Sequence, residues 1–228
     1  MCIRDRHYGA GRVYLAPLDP SLSAASLAGQ PELMLRSTDT LDLSALAVVC
    51  GCGGGDAVRV VLPRVLSSAA RLVLDADALN ALAADPQLQT QLRLRAQRGR
   101  PTVLTPHPLE AARLLSTDSP SVQQDRLAAA ARLAEAFQCT VVLKGSGTVI
   151  ASPGQRCHIN ATGNARLASA GTGDVLAGAL GAALAAGLAP HAAACEVVHA
   201  HGRCADDWPT DQTLVAGALA RRLQAPQP

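Results

Sequence analysis

Short apolar segments recur along this chain, and most are followed by a helical stretch. Ala45 to Cys50, Leu72 to Asp75, Thr102 to Thr105 and Thr140 to Lys144 stay apolar until a terminal polar residue. A strand without a polar face must be covered on both sides, and intervening helices return the chain for parallel pairing. The expected fold is therefore α/β, a three-layer α/β/α domain around a mostly parallel sheet. Helices are expected over Ala78 to Ala84, Leu109 to Leu115 and, as one long element, Val122 to Phe137. Three more are expected near 173–187, 191–206 and 213–223. Thr148 to Ala151 and Arg156 to Ile159 read as a hairpin turned at Ser152-Pro153-Gly154. Arg12 to Ala16 is a further strand, ended by Pro17 and Pro20.

The chain has 228 residues, which suits a single domain over 1–228. Met1 to Arg6 fit nothing that follows, and residues 1–10 are set aside as a ragged or foreign start. Aromatics make up only 2% of the chain, so the core must be Leu, Val and Ala. Scarce aromatics and a scattered net charge of +2 argue against a nucleic-acid partner. Arg93, Arg95, Arg98 and Arg100 read as a solvated surface near a helix end. Seven cysteines without a CxxC pair resemble neither a disulfide framework nor a zinc site. Reduced, mostly buried thiols in a cytoplasmic protein are expected. No signal peptide is visible. The longest apolar run, Val175 to Ala189, is short for a membrane span, so no membrane association is expected.

In parallel sheets ligands bind beyond the carboxyl ends of the strands. Here those ends carry Gly51 to Gly55, Asp75, Thr105 to Glu110, and Lys144 to Thr148. The most pointed segment is Gly171-Thr172-Gly173-Asp174, a glycine turn that opens a helix. Amides at a helix start can hold phosphate oxygens. A carboxylate there would repel phosphate, which makes sense if it takes a proton from an attacking hydroxyl. An aspartate that merely favours the helix dipole is the bland alternative. Asp77 reads as a helix N-cap with Asn80 in the first turn, which leaves Asp75 free at the pocket edge. In Pro106-His107-Pro108, Pro108 suits the first helical position, His107 the cap and Glu110 the first turn. The rigid flanks also suit an imidazole held for a ligand. Lys144 and its turn are either a solvated hairpin end or a phosphate contact. His199 and His201 flank Ala200 on a helix, point apart, and read as packing or surface residues.

With these residues in view, the chain resembles the ADP-dependent NAD(P)H-hydrate dehydratases of the ribokinase-like superfamily. The resemblance rests on LDADALN (74–80), LTPHPLEAARLL (104–115), VVLKGSGTVIASP (141–153) and NATGNARLASAGTGDVLAGAL (160–180), with Leu214-Val215-Ala216 near the end. It implies a substrate in which water has been added across the nicotinamide ring of NADH or NADPH. ADP or ATP, with Mg2+, phosphorylates the ring hydroxyl, and loss of phosphate restores NAD(P)H. In that scheme Asp174 is the base. Gly53, Gly55, His107 and Asp174 line the substrate site. Lys144, Gly145, Ser146, Gly147 and Thr148 hold the nucleotide, together with Gly171, Thr172 and Gly173. Glu110 contacts the magnesium from its second shell.

Three positions depart from the family pattern: Leu109 stands for the usual Gly, and Cys52 and Gly54 for the usual Pro and Leu. The resemblance also implies a further strand, Gly-rich loop and helix ahead of the matching sequence, on the order of 30 residues. The chain is expected to be a fragment lacking them. An upstream NAD(P)H-hydrate epimerase domain and a homo-oligomer of Ala-rich faces complete the expectations. Two other readings stay open. One is a ribokinase-like vitamin or sugar kinase, which would keep its product phosphorylated. The other is a catalytically inert nucleotide-binding fragment or assembly protein.

Overall fold

A computed structural model describes residues 9–19, 30 and 32–224. The first eight residues, Cys2 among them, and Pro20 lie outside the described residues. Six strands form the main sheet in simple sequence order: β3 (Ala47–Cys50), β4 (Arg71–Leu74), β5 (Thr102–Leu104), β6 (Thr140–Leu143), β7 (Val149–Ala151) and β8 (His158–Ile159). β3 to β6 run parallel, whereas β7 and β8 pair antiparallel as the expected hairpin. The strand expected over Arg12 to Ala16 forms over two residues. β1 (Tyr14–Leu15) does not join this sheet but pairs in parallel with β2 (Met34–Leu35) in a separate two-stranded sheet.

The strands are apolar throughout because both faces are covered. Side chains alternate across a strand, and β4 shows the result. Leu72 and Leu74 enter one core and Val73 the other. The first core takes in the crossover helices α1 (Val58–Ser68), α2 (Ala76–Ala84), α3 (Pro86–Gln97), α4 (Pro108–Leu114) and α6 (Arg126–Phe137). α5 (Ser119–Gln124) adds Val122. The opposite face is covered by α7 (Thr172–Ala185), α8 (Pro190–Asp206) and α9 (Ala216–Arg222). α7 lies close on β3 because Gly181 faces Val49. A Cβ at Gly181 would come within 2.4 Å of Val49 Cγ2.

The single long helix expected over Val122 to Phe137 is two. Asp125 leaves helical geometry at φ −142°, ψ 84°, and its carboxylate accepts from Ala128 N to cap α6. α1 forms despite the internal Pro63. The arginine cluster also needs correction, since Arg95 is only 2% exposed. Its guanidinium donates to Thr102 Oγ1 and to the carbonyls of Leu66 and Ala69, each at 2.9 Å. It ties the end of α1 to the start of β5. Burial pulls its pKa down to about 10.

A cavity of about 760 Å³ opens between β1 and β3, lined among others by Val13, Leu15, Leu18, Val48 and Gly181. It reaches Cys52 and Gly53 at the sheet edge where the candidate residues gather.

Candidate active site

Asp75 is the hub of that edge. It directly follows β4, is 1% exposed, and gathers three donors. Lys144 Nζ approaches Oδ1 at 2.6 Å, Thr105 Oγ1 donates to Oδ1 at 2.8 Å, and the Cys52 thiol faces Oδ2 at 3.4 Å. A buried carboxylate must be paired in this way. The backbone is bent to put it there. Ala76 takes φ 48°, a left-handed value that costs a non-glycine residue about 1–3 kcal/mol. Gly51 faces it with φ 117°, and a Cβ there would lie 1.9 Å from the Asp75 carbonyl oxygen.

The helix following Asp75 starts two residues earlier than expected. Asp75, not Asp77, holds the cap position, and its side chain makes no capping bond. Asp77 sits in the first turn and its Oδ2 accepts from Gly55 N at 2.8 Å. It thereby holds the turn that carries Gly53 and Gly55.

His107 caps α4 as expected. Its Nδ1 accepts from the amides of Leu109 and Glu110, and Glu110 Oε2 accepts from His107 N at 2.8 Å. This reciprocal capping box fixes both side chains. His107 Nε2 then lies 3.3 Å from Glu110 Oε1. Glu110 is 4% exposed. Burial raises its pKa, and Lys144 and the bond from His107 N oppose that rise.

The glycine turn lies opposite. Gly171 is the N-cap of α7 with φ 82°, and Asp174 stands in the first turn. The Thr172 hydroxyl is tied back to the carbonyls of Leu167 and Ser169 at 2.6 and 2.8 Å. The Thr172 side chain therefore braces the turn. The first amides of a helix have no intrahelical acceptor. From beneath, His201 Nε2 meets the Thr172 carbonyl at 3.0 Å. Its burial confirms the packing role expected of it and pushes its pKa down to about 4.

The two sides meet. Cys52, Asp75 and Asp174 place one ligand-type atom each within 4.8 Å of one another. Burial raises the Cys52 thiol pKa far above its ordinary value, and the carboxylates of Asp75 and Asp174 add to this. Lys144 Nζ lies 3.5 Å from where a Cβ on Gly173 would stand. The turn after Lys144 is held from below by Arg126. Its Nη2 donates to the carbonyls of Leu143 and Lys144 at 3.1 Å, and its Nη1 contacts Ser146 O. Thr148 Oγ1 closes the turn on Gly145 O at 3.0 Å.

So the structure brings Lys144, Gly173, Asp174, Asp75 and Cys52 together, with Glu110 and His107 behind Lys144. Gly145, Ser146 and Gly147 form the adjoining rim. Arg126 and Cys52 carry no signal in the sequence, since each acts through residues far away along the chain.

The sequence profile of the NAD(P)H-hydrate dehydratase family matches residues 17–226. The chain belongs to this family. An ADP-dependent (S)-NAD(P)H-hydrate dehydratase of Neisseria meningitidis serogroup B is 42% identical over 223 residues, covering 95% of this chain and 74% of that protein. A bifunctional NAD(P)H-hydrate repair enzyme of Escherichia coli K12 is 37% identical and covers 87% of this chain, which spans only 38% of its length. Among solved structures, the Bacillus subtilis ADP/ATP-dependent NAD(P)H-hydrate dehydratase, co-crystallized with ATP/Mg2+ and soaked with CoA, superposes with a TM-score of 0.79 at 28% identity. The match covers 97% of this chain and 82% of that one. Pyrococcus horikoshii hydroxyethylthiazole kinase, at 17% identity and a TM-score of 0.61, shares the fold with this dehydratase family member.

Proposed function

We propose that this chain carries out ADP-dependent dehydration of hydrated NADH or NADPH. The observation that carries the reading is the placement of Asp174 in the first turn of α7, on the amides of Gly171 to Gly173 and across from the Lys144–Asp75 pair. An oxyanion cradle, a fixed cation and a carboxylate at its mouth are the parts that phosphoryl transfer to an alcohol needs.

Asp174 takes the proton of the ring hydroxyl as its oxygen attacks the terminal phosphorus of ADP. The bond to the bridging oxygen breaks and AMP leaves. The phosphorylated hydroxyl is a good leaving group. The ring nitrogen lone pair expels it as inorganic phosphate, and deprotonation of the neighbouring carbon restores NAD(P)H. Lys144 steadies the nucleotide phosphates, and Asp75 holds Lys144 in place. The 145–148 rim follows the nucleotide, while Gly53, Gly55 and His107 border the nicotinamide side.

The carboxylates around Lys144 fit a hydrated Mg2+, which keeps several waters and prefers hard oxygen donors. Both Glu110 oxygens face His107, so Glu110 serves such an ion through water and not directly. When bound, the ion neutralises phosphate charge. The reading extends to an NAD(P)H-hydrate epimerase as partner, a cytoplasmic site of action and a homo-oligomer. Among the described residues no helix is long and apolar enough to cross a membrane.

The test is recovery of reduced-nicotinamide absorbance from hydrated NADH, with and without ADP or ATP. Asp174→Asn should lose about 10²- to 10⁴-fold in turnover while still binding nucleotide. No ADP- or ATP-dependent recovery by the wild-type chain would sink the reading, as would full activity of Asp174→Asn.

A further inference from the structure

A second cluster lies at the opposite edge of the sheet. We propose that His158, His191 and Cys195 form a binding site for a thiophilic divalent metal of the zinc class. His191 and Cys195 stand four residues apart on α8, so they share one face of the helix. His158 comes from β8. One ligand atom from each lies within 4.8 Å of the others. In a tetrahedral zinc site, bonds of about 2.0–2.3 Å put such atoms about 3.3–3.8 Å apart. No pair of these atoms is more than 4.8 Å apart, about 1 Å beyond that range.

The support behind the cluster is what marks it as a site. His191 Nδ1 meets Ser152 Oγ at 2.8 Å, and Ser152 Oγ meets Thr140 Oγ1 at 2.8 Å. Ser152 and Thr140 are 7% and 4% exposed. A metal-binding histidine is normally oriented through its other ring nitrogen by such a partner. With its proton on Nδ1, His191 presents an Nε2 lone pair to the cluster. At present that lone pair faces His158 Nδ1 at 2.9 Å. The exposed His158 ring can carry its proton on Nε2 instead, which frees Nδ1 as a ligand. Binding would release one proton, from the Cys195 thiol, and leave a fourth position for water.

Thr140 begins β6 and Lys144 follows its end, so the sheet separates this cluster from Asp174. Such an ion would clip the β7–β8 hairpin to α8 and take no part in phosphoryl transfer.

The experiment is titration of the full chain with Co2+ in excess Mg2+, read by thiolate-to-cobalt charge-transfer absorption. The expected result is one Co2+ per chain with a thiolate band. The band should persist in Cys52→Ser and vanish in Cys195→Ser. His158→Ala, an exposed change that leaves the fold intact, should weaken binding at least about tenfold, as should Ser152→Ala. Zn2+ should raise the melting temperature of the wild-type chain and not that of His158→Ala. Absence of a thiolate band overturns the proposal, and so does a band kept in Cys195→Ser or lost in Cys52→Ser. Dehydratase turnover should be unchanged in His158→Ala, so the outcome is independent of the catalytic reading.

Discussion

His201 lies beneath the phosphate turn and should make the fold acid-sensitive in a defined window. It is 7% exposed and holds the Thr172 carbonyl, and its pKa falls from 6.5 to about 4. Burial is the main cause, and nearby Lys144 adds to it. The unfolded chain accepts a proton that the folded chain refuses. The resulting stability is fully present above pH 6.5 and is lost as pH falls towards about 4. The slope is about 1.4 kcal/mol per pH unit, or about 3 kcal/mol in all. That is a large share of the 5–15 kcal/mol typical of a whole domain. The assay is urea denaturation at several pH values between about 7.5 and 4, comparing the wild-type chain with His201→Gln. Glutamine keeps an N–H for the Thr172 carbonyl and cannot titrate. Other groups titrate equally in both proteins, so the difference between the curves isolates His201. The two stabilities should converge, or cross, by about 3 kcal/mol as the pH falls. Parallel curves across the window would refute the reasoning.

Gly51→Ala should cost about 2 kcal/mol or more, because its Cβ would run into the Asp75 carbonyl at a φ unfavourable to alanine. A lower urea midpoint with reduced turnover would check it. Arg95→Met should destabilise by about 3 kcal/mol by leaving the buried carbonyls of Leu66 and Ala69 without their donor, with KM unchanged. An unaltered melting temperature would contradict that. The raised pKa of Glu110 gives stability that is fully present below its ordinary 4.5 and lost as pH rises through the folded value. Glu110→Gln should therefore gain on the wild-type chain in urea midpoint as pH rises, whatever its activity.

The parallel sheet and most elements were legible because apolar strands and their helices leave a periodic record. The failures have specific physical causes. Asp125 breaks a pattern that stays helical in composition, and only the cap on Ala128 N reveals the break. α3 is too polar to advertise itself, with only Leu88, Leu92 and Arg95 buried. Arg95 looked like one more surface charge, since nothing local shows that three acceptors surround it. The partner of β1 was not legible, because a two-residue ladder leaves no mark on composition. At the site, the cap position of His107 and the first-turn place of Glu110 followed from spacing, as did the place of Asp174; the reciprocal bonds of His107 and Glu110 did not. The Asp75 hub did not, because its donors Cys52, Thr105 and Lys144 arrive from three different strand ends. The same limit hid His158 beside His191, on elements far apart in the chain.

The simple order of the sheet also has a consequence for assembly. β4, β5 and β6 each pair with the strand made just before, and the helices between the parallel strands close one face as they emerge. Contacts between near neighbours form at low cost in loop entropy. α7, with the glycine turn and Asp174, comes after all of them and seals the other face. A growing chain can thus display Asp75 and Lys144 early. It becomes a phosphoryl-transfer catalyst only when its last layer docks.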